Sequence, residues 1–266
     1  MYKEIEHNKT VTWLILLCFF LFFIVVGYVF GRVSDLGYFG IFLGLLISLP
    51  TTVGGYFMAD TLVLSLAGAR KVERKDYPEL FNVVQNLSIS SGLPMPAVYI
   101  IDDMSMNAFA TGRDPKHAAI AVTSGLLSVL SKTELEAVAA HEMAHIKNFD
   151  TRLSMILVVF VGLISVLADF FWRFSLGRRN NRKQGGGIFM LLGIIFIVLS
   201  PFVAKILQMS LSRNREYLAD AEAALLTRYP EGLALALEKL TKQDSMMIKA
   251  NNAMSHLYIV SPLDNL

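Results

Sequence analysis

A chain of 266 residues with 54% hydrophobic content, 18 phenylalanines and a mean hydropathy of +0.51 is too apolar for an ordinary water-soluble domain, where about 45–50% is usual, and it reads as a membrane protein. A net charge of +2, with the basic residues gathered beside apolar runs as membrane anchors are, argues against nucleic acid as a partner. The single cysteine, Cys18, lies inside an apolar run, which excludes a disulfide framework and a thiolate metal site and fits a site facing a reducing compartment.

Taken in chain order, the elements begin with two uncharged runs, Val11 to Phe30 and Leu36 to Ala59, of 20 and 24 residues. About 20 residues cross a hydrocarbon core, so both are expected to span, and the first is too long for a removable signal peptide and lacks its small-residue cleavage pattern, so it is expected to be retained. Lys3 and Lys9 precede this hairpin and Arg70, Lys71, Arg74 and Lys75 follow it, while its own loop offers Arg32 against Asp35. Both outer ends are therefore expected on the cytoplasmic side.

From Arg70 to Arg152 the chain is polar enough to face water. Tyr77 to Ser91 carries Leu80, Val83, Val84 and Leu87 at helical spacing, and Gly92, Pro94 and Pro96 close it. Three strand-like runs follow at Ala97–Ile101, Met106–Thr111 and Ala118–Val122, separated by Asp-Asp and Gly-Arg-Asp-Pro turns, and predict a small sheet. Ser131 with Glu134 forms a capping box that starts a helix through Leu135, Val138, His141, Glu142 and His145.

A second pair of shorter apolar runs, Leu153–Ala168 and Ile188–Ala204, meets Asp169, Arg173 and Lys205. Its loop, 177–187, carries Arg178, Arg179, Arg182 and Lys183 and would break the positive-inside pattern if both runs cross. Either the first hairpin dominates the orientation or the second dips in and returns. Ser212 to Thr227 and Glu231 to Asp244 read as helices. The expected fold class is an α+β membrane protein, mainly helical, with about four transmembrane helices and a cytoplasmic zincin-like catalytic domain holding a small β-sheet. The expected organisation is a transmembrane hairpin at 1–69, a catalytic subdomain at 70–152, a second hydrophobic hairpin at 153–210 and a C-terminal helical part at 211–266.

The chemistry lies in His141-Glu142-Met143-Ala144-His145. On a helix, positions i and i+4 share a face, so both imidazoles can reach one zinc ion. Glu142 stands about 100° round the helix, where it can take a proton from a metal-activated water without ligating. Ala139, Ala140 and Ala144 leave room for close approach. Catalytic zinc takes three protein ligands, and Ser212-Arg213-Asn214-Arg215-Glu216-Tyr217-Leu218-Ala219-Asp220 supplies the third as Glu216. The histidines end a helix before the second hairpin and Glu216 starts one after it, so a hairpin that folds back brings them to one membrane face. Asp220, one turn beyond Glu216, can accept the second ring N–H of a ligating histidine.

Together with Asn107-Ala108-Phe109-Ala110-Thr111-Gly112, these motifs resemble the HtpX-like family of membrane zinc metalloproteases, gluzincins related to the CaaX prenyl proteases, over nearly the whole chain. The resemblance implies an endopeptidase of the bacterial or archaeal inner membrane, with Zn2+ as cofactor and damaged or misassembled membrane polypeptides as substrates, cleaved on the cytoplasmic side. It favours Met106–Thr111 as an edge strand on which an extended substrate pairs, with Asn107, Ala108 and Phe109 in contact with it. His256 could donate a hydrogen bond to the oxyanion. The family pattern continues past Ser261-Pro262-Leu263 into a His-Pro-Pro segment and a last helix, where this sequence ends at Leu266; the expected ligands all precede that point.

Two rival readings remain at this level. A site-2-type intramembrane protease would draw a later Asp ligand, echoed by Leu263-Asp264-Asn265, although Glu134, Glu136, Lys147 and Asp150 place the histidines at a watery rim. A zinc-stabilised membrane scaffold is the other, and it has no use for Glu142.

Overall fold

The computed structural model describes residues 2–33, 35–177, 213–242, 254 and 257–259. The chain divides into two compact units, one made of residues 1–9, 59–155 and 211–266 and the other of residues 10–58 and 156–210.

Three helices among the described residues are long and apolar enough to cross a membrane. They are α1 (Tyr2–Val33), α2 (Phe39–Leu66) and α6 (Asp150–Gly177). The fourth expected run, Ile188–Ala204, lies outside the described residues. The helix α6 continues past its apolar run, and there Asp169 and Arg173 pair one turn apart at 2.8 Å.

In the second unit, α1 and α2 pack through glycines. A Cβ at Gly40 would sit 2.2 Å from the Gly27 carbonyl oxygen, and one at Gly27 would sit 2.4 Å from that of Gly40, so only hydrogen fits at this crossing. Phe19 stacks on Phe160 at 3.7 Å between centroids, with Gly55 against the same ring. Leu14, Leu17, Leu21, Leu46, Leu49 and Phe57 stay at least half exposed, as befits side chains that meet lipid rather than a core.

The first unit carries a four-stranded mixed sheet of β1 (Ala69–Lys71), β2 (Ala97–Ile101), β3 (Ala108–Gly112) and β4 (Ala118–Thr123), in the order β1-β2-β4-β3. The pair β2/β4 is parallel, with Tyr99 opposite Ala121, and β3 closes one edge antiparallel to β4, with Ala110 opposite Ile120. β4 is buried along its whole length, so it reads as a continuous apolar run rather than an alternating one. The strand β3 starts two residues later than its apolar pattern suggests. The Asn107 N–H goes to the Thr123 hydroxyl at 3.0 Å rather than to a strand carbonyl, so the regular ladder begins only after it.

Helix α3 (Pro78–Ser91) ends at Gly92, whose φ of 70° is the left-handed cap that glycine adopts without strain. Then come α4 (Ser124–Val129), α5 (Lys132–Lys147), α7 (Arg213–Thr227) and α8 (Pro230–Thr241). Helix α5 is central: it packs against α3, α7, α8 and the strand β3. Its capping box is complete, with the Glu134 carboxylate accepting from the Ser131 N–H at 2.7 Å and also from Lys239 of α8 at 2.7 Å.

Candidate metal centre

The site is assembled on α5 and α7. Ala140 and Ala144 of α5 and Ala219 and Ala223 of α7 are buried almost completely, and such small side chains let two helices approach closely. That approach sets His141 and His145, one turn apart on α5, opposite Glu216 in the first turn of α7.

Three donor atoms converge. His141 Nε2 and His145 Nε2 lie 3.1 Å apart, and each is 3.6 Å from Glu216 Oε2. Ligands bound tetrahedrally to zinc at 2.0–2.1 Å stand about 3.3 Å from one another, so the three separations already match a common cation. Both Nδ1 atoms are turned to carboxylates: His145 Nδ1 to Asp150 Oδ2 at 3.0 Å, and His141 Nδ1 to Asp220 Oδ1 at 3.0 Å. A carboxylate only accepts, so His145 Nδ1 carries a hydrogen toward Asp150, and the Nε2 of the neutral ring is the atom that can ligate. Two ring nitrogens and a carboxylate oxygen meeting in one place can share one cation, and the donor set N, N, O suits a zinc-type ion. The residues therefore fit the metal.

The two outer carboxylates are unequal. Asp150 is 7% exposed and its contact with His145 is a directed hydrogen bond, whereas Asp220 is 44% exposed and sits off the N–H direction of His141, leaving an ion-pair contact only. Proton affinities report the same field. Burial opposes charge on His145, but Asp150 and Glu216 outweigh it and push the ring up to about 10. His141 is raised in the same way, burial being overcome by Asp220 and Glu216. Burial would raise Glu216 too, yet the two imidazoles hold it far below the usual carboxylate range.

Glu142 behaves in the opposite sense. It is almost fully buried beside the two histidines, and burial raises its proton affinity above the ordinary value, while the backbone N–H of Ala110 on β3 donates to it. Sheet edge and motif helix thus meet at this carboxylate.

Of the remaining sequence expectations, Asn107 immediately precedes β3 and Ala108 and Phe109 begin it, all three buried. The Ala108 carbonyl, on the edge away from β4, accepts from the Ile259 N–H at 3.1 Å, and Tyr258 packs edge-on against Phe109 with centroids 5.2 Å apart. His256 and Leu263-Asp264-Asn265 lie outside the described residues.

Sequence reasoning missed Asp150 as a partner of the site and saw only its negative charge. It reaches His145 because Phe149, at φ 60°, turns the chain sharply between α5 and α6. A bulky residue in the left-handed region is uncommon, and here it swings the first residue of α6 back against the last turn of α5.

Comparison with known proteins agrees with this geometry. Residues 74–258 match the profile of Peptidase family M48. A protein named "Protease HtpX homolog" from Dictyoglomus turgidum is 45% identical over 264 residues, covering 99% of this chain and 87% of its own length. One of the same name from Tropheryma whipplei (strain Twist) is 45% identical over 264 residues, covering 99% and 90%. Another from Streptococcus pneumoniae (strain Hungary19A-6) is 40% identical over 274 residues, covering 98% and 91%. With a profile match over most of the chain, relatives over nearly all of it, and a His-His-Glu cluster beside apolar helices, the chain belongs to peptidase family M48 and is a membrane metalloprotease of the HtpX-like kind.

Proposed function

We propose that this enzyme is a zinc-dependent endopeptidase of a bacterial or archaeal inner membrane that cleaves damaged or misassembled membrane polypeptides at the cytoplasmic face. The observation that carries the reading is the convergence of His141 Nε2, His145 Nε2 and Glu216 Oε2 at 3.1–3.6 Å. His141, His145 and Glu216 would hold the zinc, with Asp150 and Asp220 orienting the two rings. Bound zinc supplies Lewis acidity toward a water and toward the scissile carbonyl.

The chain's own groups do the rest. Glu142 takes a proton from the attacking water and returns it to the leaving amine, a role suited to a carboxylate whose burial strengthens its hold on a proton. An extended substrate pairs with the outer edge of β3, where Ala108 and Phe109 begin the strand just after Asn107, and replaces the hydrogen bond that Ile259 now makes to Ala108. His256 is assigned to the oxyanion. In this reading segments 1–69 and 153–210 anchor the enzyme, and 70–152 and 211–266 form its catalytic part.

The test is metal analysis of purified protein, wild type beside Glu216→Ala, coupled to cleavage of an unfolded polypeptide. One zinc per wild-type chain, lost with activity in the variant, is expected. Stoichiometric zinc in Glu216→Ala removes Glu216 from the ligand set.

A further inference from the structure

Asn8 precedes the apolar stretch of α1 and is completely buried. A buried asparagine amide needs partners for both its N–H bonds, and in a helix the nearest acceptors are its own backbone carbonyls. Asn8 instead reaches across 142 residues of sequence: its Nδ2 donates to Asp150 Oδ1 at 2.7 Å and to the Asn148 carbonyl at 2.9 Å. Both partners are pure acceptors, so the nitrogen must face them and the amide orientation is fixed by chemistry.

Asp150 is the carboxylate whose other oxygen meets His145 Nδ1. Its two oxygens are thus divided, one for Asn8 and one for the metal ligand, with Arg215 Nη1 a longer 3.6 Å from Oδ1. A carboxylate turns easily about its last torsion, and the 2.7 Å bond from Asn8 stops that rotation. Without it, Oδ1 stays buried with Arg215 as a distant partner, and rotation toward the guanidinium draws Oδ2 away from His145. The adjacent Lys9, with its ammonium 4.6 Å from the Phe149 ring centroid, pins the same α5–α6 turn. We propose that Asn8, at the amino-terminal end of the first membrane-spanning helix, is a positioning residue of the metal centre, holding Asp150 so that Asp150 fixes the ring of His145. This rests on the reading of His141, His145 and Glu216 as the ligands. It makes metal retention depend on α1, an element that sequence distance separates completely from the motif.

The test uses the full chain in detergent or nanodiscs, with Asn8→Asp, which keeps the shape and loses the donor, and Asn8→Ala, which adds no charge. Glu6→Gln, at an exposed neighbouring position, is the control, and Asp150→Asn and Glu216→Ala run alongside. The readouts are the chelator concentration that removes half the zinc, the d–d absorption of cobalt-loaded protein, and thermal unfolding of the metal-stripped form. Removing a ligand's direct partner weakens metal binding by about 10–100-fold, and Asn8 stands one contact further out, so a loss of about 3–10-fold is expected for both variants, with shifted cobalt bands and wild-type behaviour in Glu6→Gln. Wild-type chelator midpoints and spectra in either Asn8 variant, with or without a fall in melting temperature, overturn the proposal. If Glu216→Ala also keeps its metal, the ligand assignment itself has failed; if Glu216→Ala loses metal and Asn8→Asp does not, only the role of Asn8 has.

Discussion

Replacing Glu142 by glutamine separates chemistry from architecture. The side chain is isosteric, remains buried, and still offers an oxygen to the Ala110 N–H, so packing between α5 and β3 survives. What disappears is the proton acceptor. General acid–base catalysis contributes about 10²–10⁴-fold, or roughly 3–5.5 kcal/mol of barrier, and hydrolysis of an unfolded protein substrate should fall by that factor while zinc content stays at one per chain. Stability should move the other way. Burial raises the folded-state proton affinity of Glu142 above the ordinary value of 4.5, so the folded chain binds this proton more tightly than the unfolded one. The contribution is fully present below pH 4.5 and is lost as pH rises through the folded value, whereas glutamine carries no such pH-dependent loss. Metal-stripped Glu142→Gln should therefore melt at or above the wild-type temperature at pH 7. A variant that keeps more than about a tenth of the activity with full zinc would refute the role of Glu142, and a lower melting temperature would refute the argument from burial.

Further outcomes follow from other contacts. Asp150→Asn should weaken zinc binding by about 10–100-fold, and Asp220→Asn should cost less, at about the lower end of that range, because Asp220 is exposed and off the N–H line of its ring; chelator competition measures both, and the reverse order would contradict the geometry. Glu134 is held below its ordinary value because hydrogen bonds from Lys239 and Ser131 outweigh its burial, so its contribution is present above pH 4.5 and lost as pH falls through the folded value. Glu134→Gln should unfold more easily than wild type by about 1–2 kcal/mol at pH 7, and the gap should close in acid, as denaturation at a series of pH values will show. Gly40→Ala should force α1 and α2 apart, since the added Cβ would lie 2.2 Å from the Gly27 carbonyl oxygen, and should destabilise the protein by about 1–3 kcal/mol in thermal unfolding in detergent.

How much of this was legible in the sequence depends on whether the signal was local. Gly92 ending α3, the Ser131/Glu134 box starting α5, and the four-residue spacing of His141 and His145 are each encoded within one or two turns, and each appears in the structure as the pattern requires. The pairing of Glu216 with His141 spans 75 residues and was still readable, because two apolar runs between them implied a return to the same face. The three-residue strand β1 and the two-turn helix α4 are too short to set a period, and β3 begins two residues late because the Thr123 hydroxyl takes the Asn107 N–H in place of a strand carbonyl.

Asp150 and Asn8 were hidden for a different reason. A metal ligand has a motif because its spacing follows from helix geometry, whereas the group that orients it can come from anywhere the fold brings close. Asp150 arrives through a turn at Phe149 that no propensity favours, and Asn8 arrives on a helix whose composition speaks only of lipid. Polar residues at the ends of apolar helices are ordinarily read as membrane anchors, and Lys3 and Lys9 fit that reading. Asn8, between them, carries no charge to anchor and is wholly buried, and in a chain already assigned to a membrane metalloprotease that combination is itself a signal: an uncharged amide next to a span, spent on a distant carboxylate rather than on its own helix, points to a partner outside that helix.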